Sequence, residues 1–389
     1  MNIRKTISNK FVGYLTVLIL AAAVLIQGLG GVSATTASVQ TLSDLQAAIA
    51  NVAVTDIVIE NDITLDAPLA ITAGNMRDIS FTSVSSTSIY TIFSANNQRH
   101  FNISGGGSIA LAFDGNIILD GNNAGGGINS TGTDLTLSEA VLQNNSAANG
   151  GAVFGSVITI DGGTYTDNSA TGSGGAIFGT TSVTVLDGTL IDNNFANSHG
   201  GGISGTNGTT VNIEGGTISR NRSQNGSGGG IFIGINATVN MSGGIISDNS
   251  VLCNFCWGGG IGLNSSSTVN MTDGIIANNT AALGGGMGDL NGSCTYNISG
   301  GSIIENRAPS NPGQGGGIYV NSNGTLNISG SDTILYGNSA ASGGAIFSNL
   351  GSDVHITDSE VSGNSAVNSG GAIYTHTYRK PWACVWIYK

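Results

Sequence analysis

Three short motifs return in the same order along most of this chain, and any fold proposed for it must accommodate that period. The first, Gly-Gly-(Gly/Ala)-aliphatic, ends at Ile128, Val153, Ile177, Ile203, Ile231, Ile261, Met287, Ile318, Ile346 and Ile373, with gaps of 24 to 31 residues. The second is an apolar residue or Tyr followed by two residues and Asn. Its asparagines are Asn122, Asn145, Asn168, Asn194, Asn221, Asn249, Asn279, Asn306, Asn338 and Asn364. The third is a short alternating segment such as Thr210-Val211-Asn212-Ile213 or Thr238-Val239-Asn240-Met241. Alternation of this kind predicts strands, and no repeat holds a stretch long enough for a crossover helix.

A unit of about 27 residues with three short strands closes one coil of a parallel β-solenoid, with its apolar columns inward and stacked on the next coil. In one coil those inward residues are Ile231, Val239, Met241 and Ile246. A propeller is the alternative, but a blade needs four strands and typically 40 or more residues. Composition agrees with the solenoid. Glycine supplies 63 of 389 residues, each costing roughly 1 kcal/mol in a helix relative to Ala. Four prolines and no Gly-X-Y period exclude collagen. The formal charge of −12 argues against a nucleic-acid partner.

The expected fold is therefore all-β, a parallel β-helix with a short N-terminal capping helix. Its organisation is a signal peptide at 1–34, a cap and first coils at 35–121, ten repeats at 122–378 and an atypical tail at 379–389. Arg4, Lys5 and Lys10 precede an apolar run from Phe11 to Gly28, with small residues Val32-Ser33-Ala34 at a cleavage site. An uncleaved membrane anchor is the rival reading of that run, and no span is expected in the mature chain. Ser43-Asp44 before Leu45, Ala48 and Ile49 reads as the start of the capping helix, with strands following at Asp56–Glu60 and Ile63–Leu65. The tail loses glycine and carries two of the three tryptophans; it reads as a specialised cap or as a truncated or frame-shifted end.

The chemistry-bearing residues are sparse. Residues 122–378 contain no Lys, and their arginines are Arg220, Arg222 and Arg307, the last three coils from the others, roughly 14 Å along the rod. Asp167, Asp192, Asp248 and Glu305 precede ladder asparagines and could form a carboxylate row. A Ca²⁺ site there is chemically open but not demanded by the spacing, so neither a metal nor another cofactor is expected. His100, His199, His355 and His376 fall in different motifs and read as surface loop residues. Cys253 and Cys256 form a lone CxxC, read as a local disulfide in an exported protein, since zinc would need a second pair. The motif asparagines read as a structural ladder, because stacked amides can bond turn backbone and the neighbouring coil.

One array invites a binding role. Thr210 and Asn212, Thr238 and Asn240, Thr268 and Asn270, Thr295 and Asn297, and Thr325 and Asn327 alternate with Val211, Val239, Val269, Tyr296 and Leu326. If the latter face inward, both polar columns face outward. A flat polar grid results, spaced roughly 4.8 Å between coils and 7 Å along each strand. Such a grid suits a repeating glycan, and it is similar to the ice-binding faces of some solenoid antifreeze proteins.

Leu45-Gln46-Ala47-Ala48-Ile49, Ile57-Val58-Ile59 and Asp62-Ile63-Thr64-Leu65 resemble the opening of pectate-lyase-like adhesive domains of bacterial surface proteins. The Gly-Gly-Ala-Ile and apolar-x-x-Asn units resemble the GGAI and FxxN repeats of chlamydial polymorphic outer-membrane proteins, with Ile, Leu, Val or Tyr where Phe is usual. The resemblance spans residues 41–378. It implies a right-handed, pectin-lyase-like parallel β-helix, exported, with a surface or adhesive role. With no site motif in the repeats, the expected function is a non-catalytic adhesin or structural stalk, secreted or displayed on a bacterial surface, that binds a polysaccharide or a cell-surface ligand. Polysaccharide lyases and hydrolases share that rod, so an enzyme stays open as the alternative.

Overall fold

The computed structural model describes residues 34–95, 97–309 and 312–376, together with the backbone of Val385–Tyr388. The expected signal peptide and most of the tail lie outside these residues. Among the described strands every pairing is parallel, which makes a β-solenoid and rules out propeller blades. Successive coils align in register. The aliphatic residue of the glycine motif runs Val153, Ile177, Ile203, Ile231, Ile261, Met287, Ile318, Ile346, Ile373. A second column runs Val183, Val211, Val239, Val269, Tyr296, Leu326, Val354. A third runs Tyr165, Ile191, Ile218, Ile246, Ile276, Ile303, Leu335. All these residues are buried except Ile373, in the last coil, and each fully buried aliphatic side chain contributes roughly 1.5–3 kcal/mol.

The glycine motif has a steric cause at each of its positions. Gly228 has φ +71°, a conformation that L side chains rarely adopt. A Cβ on Gly229 would lie 2.4 Å from the Gly259 carbonyl oxygen. On Gly230 it would lie 2.8 Å from the Gly260 carbonyl oxygen and 3.0 Å from the Asn249 amide, and it is at this position that other coils carry Ala152, Ala176 and Ala345. The motif is thus Gly, Gly, then Gly or Ala, because the chain turns hard against the coil beside it.

The helix Leu42–Ala50 buries Leu45, Ala48 and Ile49 against the first coils. Its N-cap is Thr41 rather than the expected Ser43-Asp44. The Thr41 hydroxyl accepts the Asp44 N–H at 3.2 Å while the Asp44 carboxylate accepts the Thr41 N–H at 3.0 Å. That reciprocal box needs the hydroxyl three residues before the acid. At the other end, Arg77 donates to the carbonyls of Ala48 and Ile49, supplying partners that the helix lacks. At the far end of the rod, Val385–Tyr388 lies parallel to Asp353–Thr357 and adds a strand to that sheet.

Candidate functional site

Two files of asparagine run along the rod. The inner one begins at Asn145 and passes through Asn168, Asn194, Asn221, Asn249, Asn279, Asn306 and Asn338 to Asn364. Asn249 shows the pattern. Its Nδ2 donates to the Ile218 carbonyl at 2.9 Å and to Asn279 Oδ1 at 3.0 Å. Its Oδ1 accepts the backbone N–H and the Nδ2 of Asn221, both at 2.9 Å. Both amide hydrogens and both acceptor positions are used, which a buried amide needs. The residue before most of these asparagines is left-handed: Asn144, Asp167, Asn193, Arg220, Asp248, Asn278 and Glu305 have φ between 53° and 57°. Each such non-glycine residue costs roughly 1 kcal/mol, which the amide bonds at the same corner offset.

Asn122 stands outside this file. It is exposed, with φ +50°, and its motif neighbour Leu119 gives its carbonyl to Asn145 instead. The file therefore ends at Asn145, whose Oδ1 is buried without a partner among the described residues. One coil further on, the corresponding carbonyl belongs to Ile92, paired in register with Leu119, and His100 takes it. His100 Nε2 lies 2.9 Å from Ile92 O and 3.2 Å from Asp120 O, while Nδ1 accepts the Gly127 N–H at 2.9 Å. Two carbonyls at Nε2 and a donor at Nδ1 assign the proton to Nε2 of a neutral ring. Burial lowers its pKa to about 4. His100 is thus fully buried rather than a surface loop residue, because a heterocycle ends the file where the asparagine motif gives out.

The outer file occupies the predicted grid. Thr210, Asn212, Thr238, Asn240, Thr268, Asn270, Thr295, Asn297, Thr325 and Asn327 are all half-buried, with their apolar neighbours inward. The asparagines join head to tail: Asn240 Nδ2 to Asn212 Oδ1 at 2.9 Å, Asn270 to Asn240 at 3.0 Å, Asn297 to Asn270 at 3.0 Å and Asn327 to Asn297 at 2.9 Å. Each interior amide thus retains one free N–H and one free lone pair. The neighbouring threonine file runs in register beside it. This chaining was not foreseen, though its signal, an Asn at the same strand position in five successive coils, stands in the sequence.

The other flagged residues do not assemble into one place. Asp167, Asp248 and Glu305 share the left-handed row before the inner asparagines, but Asp192 lies one residue earlier and is buried. It accepts Arg220 Nε at 2.9 Å and the Ser219 hydroxyl at 2.7 Å, with a second Arg220 contact on its other oxygen. Asp192 thereby raises the Arg220 pKa. Arg222 and Arg307 are exposed and three coils apart. Among the described residues no group of three His, Cys, Asp or Glu could hold a metal ion. Cys253 and Cys256 are joined in a disulfide with their Cα atoms 5.5 Å apart. His199 is half-buried and stacked on Phe232 rather than free in a loop.

An interior polar group was also missed. Asp289 lies in the column that holds Leu263 in the preceding coil. It is 1% exposed and accepts the Tyr296 hydroxyl and the Asn321 N–H, both at 2.9 Å, on Oδ1. Burial pushes its pKa up to about 6, opposed by those hydrogen bonds. Beside it the Cys294 thiol is buried and held up at about 12.

A family model described as the Chlamydia polymorphic membrane protein repeat matches residues 166–180 and 358–376. Each matched stretch covers an inner-file asparagine and its glycine motif, from Asn168 to Gly175 and from Asn364 to Gly371. The chain thus carries this repeat, wound as a parallel β-solenoid. No curated protein and no solved structure matches the chain.

Proposed function

We propose that this chain is an exported, surface-displayed β-solenoid that binds a repeating polymer along its outer Thr/Asn face without cleaving it. The observation that carries the reading is the outer file itself. Its amides are fixed by one another, so hydroxyls and amide groups are presented at regular intervals without loss of side-chain freedom on binding. A regular polysaccharide can satisfy such a grid in many equivalent positions, so weak contacts add up through multivalency. The basic and apolar segment at Arg4–Gly28 supports export, and the Chlamydia membrane-protein repeat supports a place at the cell surface. The Arg220–Asp192 pair supports a non-catalytic rod, because a guanidinium held by a carboxylate is a poor proton acceptor.

The test is co-sedimentation of the purified chain with insoluble polysaccharides and intact cells, beside the triple variant Thr238→Lys, Thr268→Lys, Thr295→Lys. The wild type should be retained and the variant released, with both unfolding at the same denaturant concentration. Equal retention would remove the outer face from the function. New reducing ends or unsaturated products would establish an enzyme.

A further inference from the structure

An aromatic row runs along the rod beside these files. The position after each Gly-Gly-X-aliphatic motif holds Phe154, Phe178, Phe232, Tyr319, Phe347 and Tyr374 in six coils. Neighbouring rings stack, at 5.4 Å for Phe154 and Phe178, 5.6 Å for Tyr319 and Phe347, and 5.1 Å for Phe347 and Tyr374. The row breaks at Ser204, which pairs in register with Phe178 on one side and Phe232 on the other. An open hollow of about 490 Å³ lies there, bounded by Phe178, His199, Ser204, Asn207, Phe232 and Asn264. The His199 ring stacks on Phe232 at 4.1 Å, and among the described residues Phe178 has a ring partner only in Phe154.

The hollow joins ring faces with unused donors. Ser204 is 2% exposed and forms part of the floor of the hollow. Asn207 and Asn264 commit Oδ1 to the N–H groups of Ile235 and Ser265, at 2.9 and 2.8 Å, and neither Nδ2 has a partner among the described residues. His199 Nδ1 accepts the Ser227 N–H at 2.9 Å, so its neutral ring carries the proton on Nε2. Burial keeps that ring neutral by lowering its pKa. No charged side chain lines the hollow.

We infer that this hollow binds one neutral pyranose residue of a glycan, its C–H face against the aromatic wall and its oxygens accepting from the Asn207 and Asn264 amides. An anionic sugar would find no cation here, and a purely apolar ligand would leave the donors unpaired. The inference rests on the glycan-binding reading above, but it concerns a different set of residues and can fail separately.

The experiment is saturation-transfer NMR and titration of the full chain with methyl β-glucoside, methyl N-acetyl-β-glucosaminide and methyl galacturonoside. The expected result is transfer from the protein to the ring C–H protons of a neutral glycoside and none to the uronate. Phe178→Leu should weaken binding up to about tenfold, the loss that one aromatic contact predicts. Ser204→Phe should abolish it by extending the ring row into the hollow. Both variants should co-sediment with polysaccharide as the wild type does and keep its circular dichroism spectrum. Absence of transfer from both neutral glycosides, or binding unchanged in both variants, would overturn the inference. Polysaccharide retention surviving such a result would leave the outer-face reading standing; loss of both would overturn the two together.

Discussion

The inner and outer asparagine files are built from the same side chain at the same coil spacing, yet they do different work. An inner amide such as Asn249 is fully buried and makes four bonds to two neighbouring coils, two of them to backbone groups. An outer amide such as Asn270 is half-buried and bonds side chains alone, one on each side. Removing water from an amide obliges the protein to satisfy it in full, whereas solvent or a ligand can complete a half-exposed one. The inner file is therefore part of the fold. The outer file is free to carry binding.

The sharpest way to break this contrast is Asn249→Leu. It leaves the Ile218 carbonyl and the backbone and side-chain N–H groups of Asn221 without partners, so the rod should lose roughly 3–5 kcal/mol, read as a lower midpoint in urea unfolding. A loss under 1 kcal/mol would show that the inner file is no more structural than the outer.

The next effect tests the end of the inner file through pH. His100 has its folded pKa lowered from 6.5 to about 4. The unfolded chain therefore binds a proton that the folded one refuses, and stability present above pH 6.5 is lost as pH falls towards 4, by roughly 3 kcal/mol. Asp289 opposes this. Its folded pKa is raised from 3.8 to about 6, so its contribution is greatest below 3.8 and is lost as pH rises through 6. Unfolding midpoints measured from pH 7 to 4 should therefore fall steeply in Asp289→Asn and rise in His100→Gln. Parallel profiles in the two variants would show that neither group titrates as its surroundings dictate.

The smallest effect belongs to the outer file. Asn270→Ala removes two amide–amide bonds that water can replace, and its unfolding midpoint should move by less than about 0.5 kcal/mol. A larger shift would make the outer file structural as well and weaken its claim to be a binding face.

The period alone determines most of the architecture. Parallel coils, inward columns such as Val211–Val239–Val269 and the place of the glycine corners follow from motifs repeated in fixed order, because each coil can bury its apolar face only against its neighbours. Single departures from the repeat are a different matter, since they depend on groups distant in the chain. Asn122 has the motif spacing but no place in the file, and His100, in no repeat motif, ends that file through carbonyls of Ile92 and Asp120. Ser204 is an unremarked residue in the sequence; only the register between Phe178 and Phe232 makes it a gap. Asp289 differs from Leu263 at the equivalent position by one substitution, and its buried carboxyl is met by Tyr296 from the next strand and by Asn321 from a turn in the following coil. Repetition is a local property that a sequence displays directly. The partner of a group that breaks the repeat is decided by stacking, which brings residues about one coil apart in the chain to within hydrogen-bond distance.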